Sequence, residues 1–325
     1  MRISKIFWHE SQVGATTFGA GKGGNLTVNA SNKVELIGTS ADGRAISILS
    51  ASAERGSTGN AGDLTISTQD LLVRNGAQVL SSTFRVGKGG NLTVNASNKV
   101  ELIGTSANGT SSSLGTSTQQ DSIENGGDLT ITTQDLLVRD GAQVSTATFG
   151  MGKGGNLAVN ASNKVELIGT SADGRAISIL NASAQAGSTG NAGDLTITTQ
   201  DLLMGNGAQV FTGTYGTGKG GSLTVNASDK VELIGTSADG RIRSALSTSA
   251  QAGLTENAGN LTITTQDLLV QDGAQVNAGT YRSEISTTAS TAQAGGNGSN
   301  ITINTCFFIA VPDEKMFFLT YTENG

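Results

Sequence analysis

The chain has 325 residues, including 46 Gly, 1 Pro, 1 Cys and 1 His, and a formal net charge of −6. This balance excludes a basic surface for nucleic acid, Cys306 alone cannot make an intrachain disulfide or a cysteine-built zinc site, and no apolar run reaches the roughly 20 residues that span a bilayer. Hydrophobic residues at 36%, set in short alternating runs, point to a thin regular core rather than to disorder.

The leader MRISKIFWHES (Met1 to Ser11) has two early cations, but its apolar patch stops at Trp8, so it lacks the hydrophobic stretch of a secretory signal. It has no period-two pattern and is expected to pack poorly. From Gln12 a repeat begins. GKGGNLTVNASNKVELIGTSADGRAISIL from Gly21 to Leu49 recurs from Gly152 to Leu180 with one change, Thr27 to Ala158. Its core motif stands at Asn25, Asp63, Asn91, Asp128, Asn156, Asp194, Ser222, Asn260 and Asn300, spaced by 38, 28, 37, 28, 38, 28, 38 and 40 residues. A long unit thus alternates with a short one, and two make a super-repeat of about 66.

Within each unit the period is two. Leu26 and Val28, Val34 and Leu36, then Ile46 and Ile48 are the expected inward pairs of a long unit; Leu64 and Ile66, Leu71 and Val73, then Ala77 and Val79 are those of a short one. Whether Leu71 or Leu72 is buried is open. Gly38, Gly43, Gly76 and the Gly87 to Gly90 cluster separate the strands as turn residues that accept positive φ. Three short strands per unit predict an all-β fold, a parallel β-helix of about eight to nine triangular turns, with SADGRA (Ser40 to Ala45) bulging from the long turns. Neighbouring turns about 4.8 Å apart would satisfy each other's backbone groups, giving a rod of roughly 40 Å. Repetition provides register.

Stacking places like residues in rows. Thr27, Thr65, Thr93, Thr130, Thr196, Thr224, Thr262 and Thr302 form an outward column broken at Ala158. Two residues on, Asn alternates with Ser or Thr, from Asn29 and Ser67 to Thr264 and Asn304. Thr suits a half-exposed strand in any case; the sharper reading is a binding face for an ordered surface, ice or a glycan array. Asn25 and Asp63 with their equivalents are expected to make Asx turns. The spacing is wrong for the tandem nonapeptides of calcium β-rolls, so no metal is assigned there. Lys33 with Glu35, Lys99 with Glu101, Lys164 with Glu166 and Lys230 with Glu232 share a face and can pair.

Catalytic constellations do not emerge. GTYGTGK (Gly213 to Lys219) has phosphate-loop spacing, but Gly220 stands where Ser or Thr should follow and a strand comes next. His9 lies outside the repeat, so no triad is supported. Acids and bases outside the columns are Glu54 with Arg55, Asp121 with Glu124, Glu256, and Arg282 with Glu284, scattered among loops. Asp121 and Glu124 are the one pair that would suit the alternative, a β-helix carbohydrate-active enzyme. The expectation is no enzyme, no cofactor and no metal.

The units GGNLTVNASNKVELIGTSADG and AGDLTITTQDLLVRDGAQVSTATFG resemble the filamentous-haemagglutinin-like repeats of large exoproteins, abundant in cyanobacteria, over Gln12 to about Asn304. The resemblance implies a right-handed β-helix, export by two-partner secretion through an outer-membrane transporter, and an extracellular or outer-surface location. It also implies an adhesive or structural rod with cell-surface glycans or proteins as partners. The family's secretion domain carries asparagine-proline signatures, and the single Pro312 lies beyond the repeat. The array starts mid-turn, since QVGATTFGAGKGG from Gln12 matches QVSTATFGMGKGG from Gln143, and at Thr305 it gives way to an aromatic tail. Three segments are therefore expected, a leader at 1–11, an array at 12–305 and a tail or cap at 306–325. A fragment of a longer exoprotein, able to associate end to end through its N-terminal edge, is the expected whole.

Overall fold

The computed structural model describes residues 3–9, 11–38, 46–84, 86–119, 122–250, 258–279 and 299–311. They form a parallel β-helix. Long strands Leu26–Ile37, Leu64–Arg74, Leu92–Ile103, Leu129–Arg139, Leu157–Ile168, Leu195–Gly205 and Leu223–Ile234 stack in sequence order within a 12-stranded sheet. Three-residue strands such as Ile48–Ser50, Gln78–Leu80 and Ser113–Gly115 stack likewise in a 9-stranded sheet. A third edge is tied by single parallel bridges running Thr17, Ala53, Thr83, Thr118, Thr148, Ala184, Thr214 and Ala250. Turns of 11- and 12-residue long strands alternate, as the two unit lengths require.

The first two strands expected in each unit are fused from Leu26 to Ile234, and separate only in the last two described turns, as Leu261–Thr264 with Asp267–Gln271 and Ile301–Asn304 with Phe307–Val311. In the 12-residue strand Leu26–Ile37 both run continuously, and the break between them survives only as a register shift between Asn29 and Lys33. The extra residue of the long unit is absorbed at this bend. On the short-unit side, Thr68 fills the bend from within, its hydroxyl donating to the carbonyls of Asn32 and Asp70 at 3.2 Å each. Thr133, Thr199 and Thr265 do the same further along.

Inward residues are those of the period-two reading for the long strands. Val34, Leu36, Leu64, Ile66 and Val73 are fully buried, and Leu71, Leu136, Leu202 and Leu268 are each 1% exposed, which places the Leu71 position inside. For the third strand of the long units the expectation fails by one residue. Ser47 and Leu49 are buried, while Ile46 and Ile48 are half-buried. The reason is a polar contact. The Ser178 hydroxyl donates to the Ile168 carbonyl at 2.8 Å and accepts the N–H of Gly141, one turn below, at 3.0 Å. Ser112 and Ser244 repeat both bonds with Ile103 and Gly76, and with Ile234 and Gly207. A buried hydroxyl with both capacities used costs little, and it closes a corner that an isoleucine would leave unpaired. Ser178→Ala is expected to cost about 1–3 kcal/mol by orphaning the Gly141 N–H. Chemical denaturation with hydrogen exchange at Gly141 would check it.

The glycines divide into two kinds. Gly38 and Gly76 have φ of 76° and 86°, and Gly76 follows Asn75 at 56°, a two-residue turn with both centres left-handed. The Gly87 to Gly90 cluster, expected to serve the same purpose, has no positive φ. Its need is space. A Cβ on Gly90 would lie 1.8 Å from the Gly62 carbonyl oxygen, and on Gly87, 2.0 Å from that of Gly59.

Both ends extend the ladder beyond the repeat. Ile3–His9 pairs in parallel with Leu26–Ile37, although the leader has no period-two pattern, because a parallel ladder needs only backbone. Phe307–Val311, expected as the start of a cap, instead pairs with Asp267–Gln271 as a further strand. Gly43, the Ser40 to Ala45 bulge, Asp121, Glu256, Arg282 and Glu284 lie outside the described residues.

Candidate binding faces

The threonine column is built as the spacing required. Cα partners run Thr27, Thr65, Thr93, Thr130, Ala158, Thr196, Thr224, Thr262 and Thr302, one residue per rung. Beside it Asn29, Ser67, Asn95, Thr132, Asn160, Thr198, Asn226, Thr264 and Asn304 keep the same register. Rungs about 4.8 Å apart and columns about 7 Å apart make a flat grid of hydroxyls and amides.

Next to the bend a charged column appears that inspection of the long unit alone does not reveal. Lys33 faces Asp70, then Lys99, Asp135, Lys164, Asp201, Lys230 and Asp267 follow in register, the signs alternating at every rung. The expected pairs along each strand also form, Lys33 to Glu35 at 3.3 Å, Lys99 to Glu101 at 3.2 Å, Lys164 to Glu166 at 2.6 Å and Lys230 to Glu232 at 3.0 Å. The Glu232 carboxylate holds the Lys230 ammonium above its ordinary value. Charges in balanced columns keep the face wet and repel a wrongly registered neighbour.

Asn25 and its equivalents do not make the local Asx turns expected of them. Their side chains reach to the next turn. Asn25 Oδ1 accepts the Asp63 N–H at 3.0 Å, Asp63 Oδ1 accepts that of Asn91 at 2.8 Å, and the ladder continues through Asp128, Asn156 and Asp194 to Ser222. A second ladder runs from Asn60, Asn125 and Asn191 to the N–H groups of Lys88, Lys153 and Lys219, at 2.9 Å each. The Asn191 bond to Lys219, with backbone bonds from the N–H groups of Thr214, Tyr215 and Thr217 to Ser249, Ala184 and Ser188, holds Gly213 to Lys219 as a corner leading to the strand Leu223–Ile234. Beside Ser222 lies a shallow polar groove of about 310 Å³ lined by Lys219, Asn260 and Asn300 among others. Among the described residues no three His, Cys, Asp or Glu side chains gather as a metal site.

Long turns project hairpin-like loops, closed by antiparallel bridges from Thr170 to Ile177 and from Thr236 to Arg243. In them the Ser171 hydroxyl and Arg175 N–H donate to Asp173, and those of Ser237 and Arg241 to Asp239, holding both carboxyls below their ordinary value. Glu124, one of the scattered acids, is exposed at a corner.

The third edge carries a feature that the sequence reading missed. Residues of the bridged column from Ala53 to Thr214 are buried and Thr17 at its start is half-buried, so the residue after each faces outward. Those residues are Phe18, Glu54, Phe84, Gln119, Phe149, Gln185 and Tyr215, an aromatic alternating with an amide or carboxylate at each rung. Phe18 is 73% exposed, Phe149 and Tyr215 38% each. The Tyr215 ring is backed by Phe211, centroids 5.2 Å apart. The signal was present as TF, TF, TF and TY, once per super-repeat, but its polar partners sit in the other unit.

Burial pushes the Glu54 carboxyl up from 4.5. The folded chain therefore binds this proton more tightly than the unfolded one, and the cost of ionising it is absent below the unfolded value, grows between the two values and is complete above the folded one. Glu54→Gln, which installs the residue of the equivalent rungs, is expected to raise the denaturation midpoint near neutral pH and to leave it unchanged below 4.5. Paired denaturant titrations at the two pH values would measure it.

Compared with family models, with curated proteins and with solved structures, the chain matches none of them.

Proposed function

We propose that the chain is a non-enzymatic structural and adhesive rod segment of a secreted or cell-surface protein of the filamentous-haemagglutinin type. One observation carries this reading. The polar and charged side chains recur once per rung or once per pair of rungs in columns, interrupted only at Ala158 of the threonine column, so chemistry is distributed along the rod rather than gathered at one place. A repeated face of this kind suits many weak contacts to an extended surface, where avidity replaces a single strong site. Export through an outer-membrane transporter and partners on cell surfaces belong to the same proposal and rest on the repeat's resemblance.

Purified chain is expected to adhere to glycan-bearing cells in a flow assay, with adhesion that rises steeply with surface density, and to release no reducing ends from polysaccharides. Polysaccharide cleavage abolished by Glu124→Gln would overturn this reading in favour of a β-helix carbohydrate-active enzyme.

A further inference from the structure

We propose that the third edge is a binding platform for an extended, uncharged, β-linked polysaccharide chain lying along the rod axis. The inference rests on reading the rod as a surface-binding element and names the face and ligand class. Among the described residues, the exposed large hydrophobic side chains are Phe18, Phe149 and Tyr215 on this edge, Val86, Ile123 and Met151 in the corners that follow it, and Phe307, Phe308 and Ile309 in the last described strand. Val86 and Met151, 41% and 57% exposed, flank Phe84 and Phe149 two residues further on. Apolar surface confined to one edge of an otherwise polar rod marks a contact site.

The alternation identifies the occupant. Successive aromatics stand two rungs apart, roughly 9.5 Å, a distance spanned by two pyranose rings of an extended β-linked chain. Such a chain presents axial C–H groups that stack on a ring face and equatorial hydroxyls that need hydrogen bonds. Gln119, Gln185 and Glu54 supply donors and acceptors at the intermediate rungs. A second protein would ask for a contiguous apolar centre, which a polar residue at every other rung interrupts. None of the seven rung residues is a cation, which disfavours a sulfated or acidic glycan. The mounting is rigid. Each residue follows a bridged position, and Tyr215 is buttressed by Phe211, so little side-chain freedom is lost on binding.

The test is retention of the full chain on amorphous cellulose and on chitin, measured by depletion from solution. Wild type is expected to bind at least one of them. The variant F18A/F84A/F149A/Y215A, checked for an unchanged β-sheet spectrum, should lose at least tenfold in affinity, since each stacked ring is worth about 1 kcal/mol. F149L/Y215L keeps apolar bulk without the flat face and should lose roughly tenfold as well, which covers the case in which the quadruple variant does not fold. Arg175→Gln with Arg241→Gln, on the projecting loops, should bind as wild type.

Absence of wild-type retention on both polymers, or loss on the loop variant with none on the leucine variant, would overturn the proposal. So would a leucine variant that changes the association state in sedimentation while still binding the polymer, since the ladder would then be a contact between rods. The cell-adhesion assay on the same sample judges the adhesive reading separately.

Discussion

Gly90→Ala is expected to cost more than about 4 kcal/mol. A new Cβ would overlap the Gly62 carbonyl oxygen at 1.8 Å and crowd the Ser81 hydroxyl at 2.5 Å. The obstruction is backbone of the turn below, fixed by its own ladder, so it cannot rotate aside. Relief requires opening the rung spacing, which lengthens every parallel hydrogen bond at that corner and drags the Asp63 to Asn91 contact with it. Gly21→Ala is the control, since nothing lies within 4 Å of its Cβ. Because a solenoid can lose turns one at a time, the readout is site-resolved hydrogen exchange as well as the denaturation midpoint. Protection should collapse in Leu64–Arg74 and Leu92–Ile103 in the Gly90 variant and stay unchanged in the Gly21 variant.

Leu180→Ala is expected to cost about 2–5 kcal/mol, and Ile179→Ala no more than about 1 kcal/mol. Leu180 is fully buried between Val144 and Val210 on the rungs below and above. Truncation leaves a void that the stacked rungs cannot collapse into without breaking register. Ile179 is half-buried and pairs with Gln143 and Gln209, so its loss uncovers little. The reverse ranking in urea denaturation would show that Ile177 and Ile179 face inward, the phase that alternation alone favours.

That phase marks where the sequence stops being readable. In ISIL three of four residues are apolar, so period-two alternation fits either face, and Ser178 is placed inside by hydroxyl contacts to Ile168 and to Gly141 a whole turn away. In the short unit LLV likewise left Leu71 and Leu72 undecided, and only the long strand of the long unit posed no such difficulty. In LTVNASNKVELI polar residues stand on both sides of Val28 and Val34, and Val28, Val34 and Leu36 are buried as their spacing requires. The turn count and the threonine column followed from the same period. Contacts between turns were not legible in advance, because the Asn25 to Asp63 bond and the Gly62 to Gly90 approach join residues separated by 38 and 28 positions. The aromatic and glutamine ladder was hidden for the same reason, its members alternating between units of different length. The strand Ile3–His9 carries no repeat signal, since its pairing uses main-chain groups that any sequence supplies.

The repeat sets one residue per rung along a single axis, and pulsed electron spin distances between labelled rungs measure that placement. Spin labels would be placed in a Cys306→Ser background at Thr93 and Thr224, at Thr65 and Thr262, and at Thr27 and Thr302, pairs separated by four, six and eight rungs. Narrow distributions centred at about 19, 29 and 38 Å, increasing in equal steps, are expected. Distances that plateau or shorten for the outermost pair, or a broad distribution at Thr93 and Thr224, would mean that the units fold back on one another and that the columns do not exist.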